Sequence, residues 1–575
     1  MISKKLMLMS AAIVIVGWSG ALTAGELPSG HGPVPSVLLE PVADPGLEMN
    51  SLPPFAPLDF TGALNMLLNQ DNTLQLQNEQ QIVTNPNDPD NIVAVWRDFR
   101  LGYRRVAYAA SFDGGVTWTE DLFEEPTYPW HSDPGLTVDA VGNFFAVILS
   151  FTSTYEPNGL YVYKSSDGGL SWGPPATVVN GVPNVFEDKE LIACDRTGGS
   201  YDGNLYVTWA RFGFDTTIML SRSTDGGTSF TAPLTVSDVG GVQWPVPVVG
   251  PGGALYIAWV NYYPPAIKFD KSTNGGVSFG PDRTITPVDY GDNYLNGGIW
   301  VFSYPAMDVD ITGGSYNGYV YVAYMDIGAG YDTDIFFKRS TNGGNTWSAP
   351  VRLNDDAVGN GRDQFHPWLT VDESGRISVV FLDRRNDPNN YLYDCYMTHS
   401  EDGGLTWSEN VRISDVSSDP QAGQALAGLL GEYIGVTSSQ GRVNALWTDT
   451  RRGHQDSFTA RVYTVPDVDA QVTPSSSVYH PGDNLSYTVQ VANSTSEQIG
   501  FYGAGYATLP WGDPFGYGPV DGPADVSLGP LQQRSLVITH RLPLGTPAGN
   551  YYYTLRLGQY PDRVIDEDTF RFTVE

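Results

Sequence analysis

The octapeptide SSDGGLSW (165–172) recurs five more times: SFDGGVTW (111–118), STDGGTSF (223–230), STNGGVSF (272–279), STNGGNTW (340–347) and SEDGGLTW (400–407). Its chemistry is that of a hairpin turn. The Asp or Asn side chain accepts backbone N–H groups, the paired glycines supply positive φ, and the closing Trp or Phe packs inward. A fixed repeat of this kind decides the fold, because each copy marks one supersecondary unit that must stack on its neighbours to bury its apolar face.

A second repeat counts the units. A bulky residue follows a turn residue by six positions in Asp90/Trp96, Gly142/Ile148, Gly203/Trp209, Gly253/Trp259, Gly318/Tyr324, Gly375/Phe381 and Gly441/Trp447. The intervening residues alternate as strand formers, as in NIVAVW, NLYVTW and YVYVAY, and another short strand precedes each turn. The mean period of roughly 58 residues suits a four-stranded blade with long loops. The octapeptides resemble the Asp box of the sialidase-like, or BNR-repeat, propellers over about residues 75 to 465. That resemblance implies an all-β propeller; the second repeat sets the expected count at a seven-bladed β-propeller with six Asp boxes, a departure from familiar sialidases, which have six blades. The resemblance also implies that the box aspartates are structural. The last unit lacks a box, and its outer strand is expected from around Leu74 to Leu76.

Beyond Pro466 the strands carry no box: PGDNLSYTVQVANST, RSLVITHRL, GNYYYTLRLG and DTFRFTVE. They read as a small immunoglobulin-like β-sandwich over 466–575, similar to accessory modules of secreted enzymes. Its aromatic-rich stretch 501–518 is read as turn packing rather than a sugar site. At the other end, Lys4 and Lys5 precede an apolar run from Leu6 to about Val16 and small residues up to Ala24, the pattern of a cleaved signal peptide (1–24) and hence of a secreted protein. Residues 25–74 are a Pro-rich linker or strap. No later run is long enough to span a bilayer.

The formal charge is −33, from 64 acidic and 31 basic residues. Nucleic acid is repelled by such a chain, so a nucleic-acid partner is not expected. Cys194 and Cys395 fall in separate units and are expected to be buried free thiols rather than a disulfide. No spaced His/Cys cluster suggests zinc, and no metal or cofactor is expected.

In an up-and-down blade the first strand starts and the second strand ends on the face opposite the box turns. The residues reaching that face are His131 and Asp133, Asp188 to Glu190, Tyr304, His366, and Glu432 and Tyr433, with Asp98, Arg211, Asn261, Asp326, Asp383 and Asp449 at second-strand ends. Three units share Asp-x-Arg: Asp98/Arg100, Asp383/Arg385 and Asp449/Arg451. A guanidinium grips a carboxylate through two parallel hydrogen bonds. The sialidase resemblance therefore implies that Arg100, Arg385 and Arg451 bind an acidic sugar. It also implies that Tyr304 or Tyr433 is the nucleophile beside Glu190 or Glu432, and that Asp133 is the acid/base. The competing reading closes each Asp-x-Arg as an ion pair within its own blade, and makes His131 and His366 channel-lining. The Phe/Tyr-Arg-Ile-Pro motif of sialidases is absent here, where the chain reads QQIVTNPNDPDNIVAVWRDFR. The expected function is a secreted glycan-directed protein, a glycoside hydrolase of exo-sialidase kind. Its rivals are a non-catalytic propeller that binds glycan or protein at the cell surface, and a polysaccharide lyase.

Overall fold

The structure, a computed structural model, describes residues 65–289, 292–328, 330–423, 430–463, 468–493, 498–512, 520–529, 532–559 and 563–575. The signal-peptide expectation and the linker up to residue 64 lie outside the described residues. No helix among the described residues is long and apolar enough to cross a membrane.

Among the described residues the chain forms seven four-stranded antiparallel sheets, each of the first six built from four consecutive strands. The first sheet holds Gln77–Asn85, Asp88–Asp98, Arg105–Ser111 and Thr119–Leu122, and the second Trp130–Val138, Phe144–Phe151, Asn158–Ser165 and Ala176–Asn180. The third holds Phe186–Cys194, Leu205–Phe212, Thr216–Ser223 and Leu234–Thr235, and the fourth Val242–Gly250, Ala254–Tyr262, Pro265–Ser272 and Arg283–Pro287. A hairpin, Asp292–Leu295 with Ile299–Phe302, precedes the fifth: Ala306–Val309, Val320–Ile327, Thr333–Ser340 and Val351–Arg352. The sixth holds Gln364–Val371, Ile377–Asp383, Asp394–Ser400 and Val411–Arg412. Gly435–Ser439, Arg442–Asp449 and Asp456–Tyr463 make up the seventh, with Asn65–Leu67 added on its outer edge. That added strand lies upstream of the Leu74–Leu76 stretch expected from sequence. Its seat is fixed by Asn65, which donates to Ile413 O at 2.8 Å, and by the Leu68 N–H on Ser457 O.

First strands of successive sheets pack side by side, and the first strand of the seventh packs on that of the first. Arg442 of the seventh sheet makes an ion pair with Asp90 of the first at 2.9 Å across the closing seam. The bulky second-strand residues Trp96, Ile148, Trp209, Trp259, Tyr324, Phe381 and Trp447 are all buried between sheets. Each buried side chain of this kind contributes about 2–3 kcal/mol of apolar burial.

All six octapeptides join the third strand of a sheet to its fourth or lead into it. In the 165–172 copy, Asp167 Oδ1 accepts from Ser171 N at 3.0 Å and from Ser165 Oγ at 2.8 Å, while Ser165 Oγ accepts from Gly169 N at 2.9 Å. Asn274 and Asn342 make the same turn bonds and also donate to the hydroxyls of Ser278 and Thr346. Trp118 is buried, and the closing aromatics of the other five copies are half-buried.

After Val468 the chain forms a three-stranded and a five-stranded sheet. Tyr487, Phe501, Tyr553 and Phe572 are buried in this part. Asp521 accepts there from the hydroxyls of Tyr487 (2.5 Å) and Tyr553 (2.9 Å). Of the aromatic-rich stretch, residues 501–508 are strand and 513–519 lie outside the described residues. Cys194 and Cys395 are free and buried, in the third and sixth sheets.

Candidate functional site

Five first strands break register at one equivalent place: between Asn78 and Gln81, Ser132 and Gly135, Asp188 and Leu191, Gln243 and Val246, and Phe365 and Trp368. A bulge there lifts one residue out of the strand's alternation. The lifted residues are Glu79, Asp133, Lys189, Trp244 and His366, with φ of 59°, 50°, 55°, 63° and 49°. Such left-handed backbone costs about 1–3 kcal/mol at a non-glycine residue and collects at functional positions. In the remaining two sheets the same place, two residues before the first paired Ala306 or Gly435, is taken by Tyr304 and Tyr433.

These residues meet. Lys189 Nζ lies 2.5 Å from Asp133 Oδ1 and also pairs with Glu432. It sits 4.3 Å from the ring centroid of Trp244 and 5.2 Å from that of Tyr433. Trp244 stacks on Tyr304 at 4.9 Å, Tyr304 faces His366 at 6.3 Å, and Trp368 packs between Tyr304 and Tyr433. Glu79 pairs with Arg97 at 2.7 Å. Lys189, Glu190, Trp244, Tyr304, Trp368 and Tyr433 line one narrow pocket that encloses about 20 Å³.

Burial sets the electrostatics. It pushes Glu79 up to about 7 against the pull of Arg97, and holds Glu190 well above the carboxylate range, with Asp133 adding to the effect. Asp188 is likewise raised, by burial and then by Asp133. For Asp133 burial also raises, but Lys189 and then Arg97 outweigh it and hold the group below its usual value. Burial works against the Lys189 ammonium, yet Asp133 and Glu432 keep it well above its usual value. Both phenols, Tyr304 and Tyr433, are raised by burial. His366 is pushed down to about 3 by burial, so it is neutral at neutral pH. Neither oxygen of Glu190 has a hydrogen-bond partner, nor do the Tyr304 hydroxyl and the Trp244 indole N–H. A buried orphan of this kind calls for a ligand or a reaction. Glu79, Asp133 and Glu432 each bring an oxygen within 4.8 Å of the others, a spacing that could hold a cation. The Lys189 ammonium already supplies positive charge to two of them.

The three Asp-x-Arg arginines do not join this cluster. Arg100 pairs with Asp98 at 2.7 Å and with Glu120, on the outer strand of its own sheet, at 2.6 Å. Arg385 pairs with Asp383 at 2.8 Å and with Asp355 at 2.5 Å, beyond the outer strand of the preceding sheet. Arg451 pairs with Asp449 at 2.8 Å and Asp415 at 2.5 Å, and donates to Asn65 on the outermost strand. All three turn outward, each toward the carboxylate two residues before it, so the shared clamp expected from sequence gives way to local ion pairs. Asp98, Asp383 and Asp449 are spent in those pairs. His131 is held in the wall of the second sheet by Arg105 Nε (3.4 Å) and near Tyr128 O (3.2 Å). Burial, then Arg105, pushes it down to about 3.

The sequence pattern placed Lys189 on this face but gave it no role, and it did not mark Glu79, Trp244, Trp368 or Arg97. A signal was available: Asp133, Trp244, Tyr304 and His366 each precede a proline, a restriction on backbone that recurs in four of the seven units.

No family model matches the chain, and no curated protein matches it. Among solved structures it is similar to a protein of unknown function from Dyadobacter fermentans, at 15% identity over 55% of this chain and 93% of that one, TM-score 0.40. It is also similar to a Hadza microbial sialidase, at 15% identity over 65% and 74%, TM-score 0.39. A third is the GH93 α-L-arabinofuranosidase of Fusarium graminearum in complex with arabinobiose, at 12% identity over 69% and 97%, TM-score 0.39. Likeness this remote leaves the function to be argued from the chain's own side chains.

Proposed function

We propose that this chain is a secreted, glycan-directed hydrolase of sialidase-like plan. In this reading residues 75–465 are a seven-bladed β-propeller with its reaction centre where the first strands meet, and 466–575 are an immunoglobulin-like accessory module. The observation that carries the reading is Glu190: a buried carboxyl that burial holds well above its usual pKa, with both oxygens unpartnered, in the same pocket as Tyr304 and Tyr433. Groups whose environments drive their protonation apart mark acid and base roles. Glu190 is the proton donor to the departing glycosidic oxygen. Asp133 loses the acid role expected for it, because Lys189 holds it ionised. Tyr433 is the nucleophile, and Glu79 is its base. Glu79 is the charged group acting most strongly on Tyr433, and its proton is exchangeable near neutral pH. Glu432 and Lys189 position this pair. The acidic-sugar expectation keeps no support from Arg100, Arg385 and Arg451.

One observation favours a second reading, a propeller that binds glycan without turnover. The pocket encloses room for about a water molecule, whereas ligand sites commonly measure hundreds of Å³. Turnover of 4-nitrophenyl glycosides of neutral, amino and acidic sugars by the purified chain decides between them. The hydrolase reading expects release of nitrophenol from at least one sugar, abolished in Tyr433→Phe. Binding of sugars without release from any member of the panel would establish the second reading.

A further inference from the structure

The part of the chain beyond Val468 holds a polar centre that the reaction proposed above does not use. Its four residues come from four strands, two in each sheet. Tyr487 on Asn484–Asn493 and His540 on Gln533–Arg541 belong to the three-stranded sheet, and Asp521 on Asp521–Leu528 and Tyr553 on Gly549–Gln559 to the five-stranded one. The Tyr487 hydroxyl lies 2.5 Å from Asp521 Oδ2, and the Tyr553 hydroxyl 2.9 Å from it. His540 Nε2 stands 3.0 Å from the same oxygen and 2.8 Å from the Tyr487 hydroxyl.

Three groups thus crowd one carboxylate oxygen, which has two lone pairs to offer. Among the described residues no hydrogen bond reaches Asp521 Oδ1, and no lysine or arginine pairs with this carboxylate. The crowding is built in. Asp521 sits directly opposite Gly505 on the neighbouring strand, next to a break in register, and a Cβ at Gly505 would collide with the Tyr553 hydroxyl. Only glycine there leaves room for that hydroxyl to reach the centre. The side chains of His540 and Asp521 are 37% and 23% exposed, so the centre opens to solvent.

Donors spaced in this way match the ligand shell of a metal. Ligands held at about 2.0–2.2 Å stand roughly 2.9 Å apart on adjacent octahedral positions, and the four separations here run from 2.5 to 3.0 Å. Three oxygen donors and one imidazole, with no thiolate, favour a hard ion. Charge selects among hard ions: a carboxylate and two phenolates bring three negative charges, which a trivalent cation neutralises. We propose that Tyr487, Asp521, His540 and Tyr553 form a ferric iron site in the C-terminal part of the chain. Binding displaces the two phenol protons to solvent, and His540 ligates through a neutral Nε2. Two of the six octahedral positions remain for water or for oxygens of a bound molecule.

Titration of the full chain with ferric nitrilotriacetate tests the site. One iron per chain should bind, with a visible phenolate-to-iron charge-transfer band that grows to saturation. Tyr553→Phe should weaken the band and lower the affinity at least tenfold. The double variant Tyr487→Phe/Tyr553→Phe keeps both buried rings in the core and should show no band. His540→Gln, at the open edge, should keep the band and lose at least tenfold in affinity. Iron bound without a visible band, a band that survives in the double variant, or an unchanged affinity in His540→Gln would overturn the proposal. So would the absence of binding, which reduces the centre to a hydrogen-bonded staple between the two sheets. None of these readings depends on glycoside turnover, so the iron site and the hydrolase stand or fall separately.

Discussion

Asp225 shows how much a single side chain in a repeated turn is asked to do. It accepts from Ser229 Oγ at 2.5 Å, Ser229 N at 2.9 Å and Ser223 Oγ at 2.7 Å, and the Ser229 hydroxyl first, then its N–H, lowers the carboxyl to about 2. A carboxyl depressed in the folded state stabilises above its unfolded pKa and loses that contribution as pH falls through the folded one. The turn's contribution therefore fades between about pH 4 and pH 2. Asn274 and Asn342 hold the same turn without a charge. Asp225→Asn should accordingly keep the neutral-pH melting temperature and flatten its decline in acid, whereas Asp225→Ala should lose about 1 kcal/mol, limited by solvent exposure. Urea melts at pH 7 and pH 3 read both.

Glu190 behaves in the opposite sense. Its raised pKa means that the folded state holds a proton that the unfolded state releases above about pH 4.5, so stability is complete below that and falls as pH rises. Asp133 and Asp188 add to this rise and Lys189 opposes it. Glu190→Gln, neutral at every pH, should melt above the wild type at pH 8, with the difference closing near pH 4. A variant that melts lower at pH 8 would mean that Glu190 is ionised in the fold.

Among elements, the box turns reach across to the preceding sheet. Gly344, at φ 77°, is so placed that a Cβ would stand 2.2 Å from the Phe269 ring of the fourth sheet. Gly344→Ala should cost ~2 kcal/mol or more through the clash and the left-handed backbone together, seen as a lowered urea midpoint. The turns and strands were legible in the sequence because they obey local rules: glycine pairs, Asn or Asp in the turn, and alternation after it. The bulges were not. Glu79 and Trp244 reach the centre only because the first strands break register, and hydrophobic alternation carries no mark of such a break. Arg100, Arg385 and Arg451 were visible as a pattern, but an Asp two residues before each decided its direction, and that local pairing outweighed the convergence the ring suggested.

For the whole molecule, closure depends on chain from both ends of the seven sheets. Asn65–Leu67 supplies the outer edge of the seventh sheet, and Leu68 is fully buried beside Ile82, Trp96 and Leu446. A chain starting at Gln70 should melt at least about 5 °C below one starting at Phe60, and equal melting temperatures would show that closure does not need this strand. Tyr304, Tyr433, Glu190, Glu432 and Asp133 were found from the topology of the repeat alone, which says which strand ends share a face. Their division of labour depends on burial and on Lys189.

The central claim is that Glu190 gives its proton to the departing glycosidic oxygen, and leaving-group dependence tests it most directly. Rates for wild type and Glu190→Gln are compared on two glycosides of one sugar, one with a 4-nitrophenyl leaving group and one with an alkyl leaving group. The activated phenol departs without protonation and the alkoxide does not. The account predicts a loss of at least ~100-fold on the alkyl glycoside and only a few-fold on the nitrophenyl glycoside. Equal losses on the two substrates, or none on the alkyl glycoside, would contradict it.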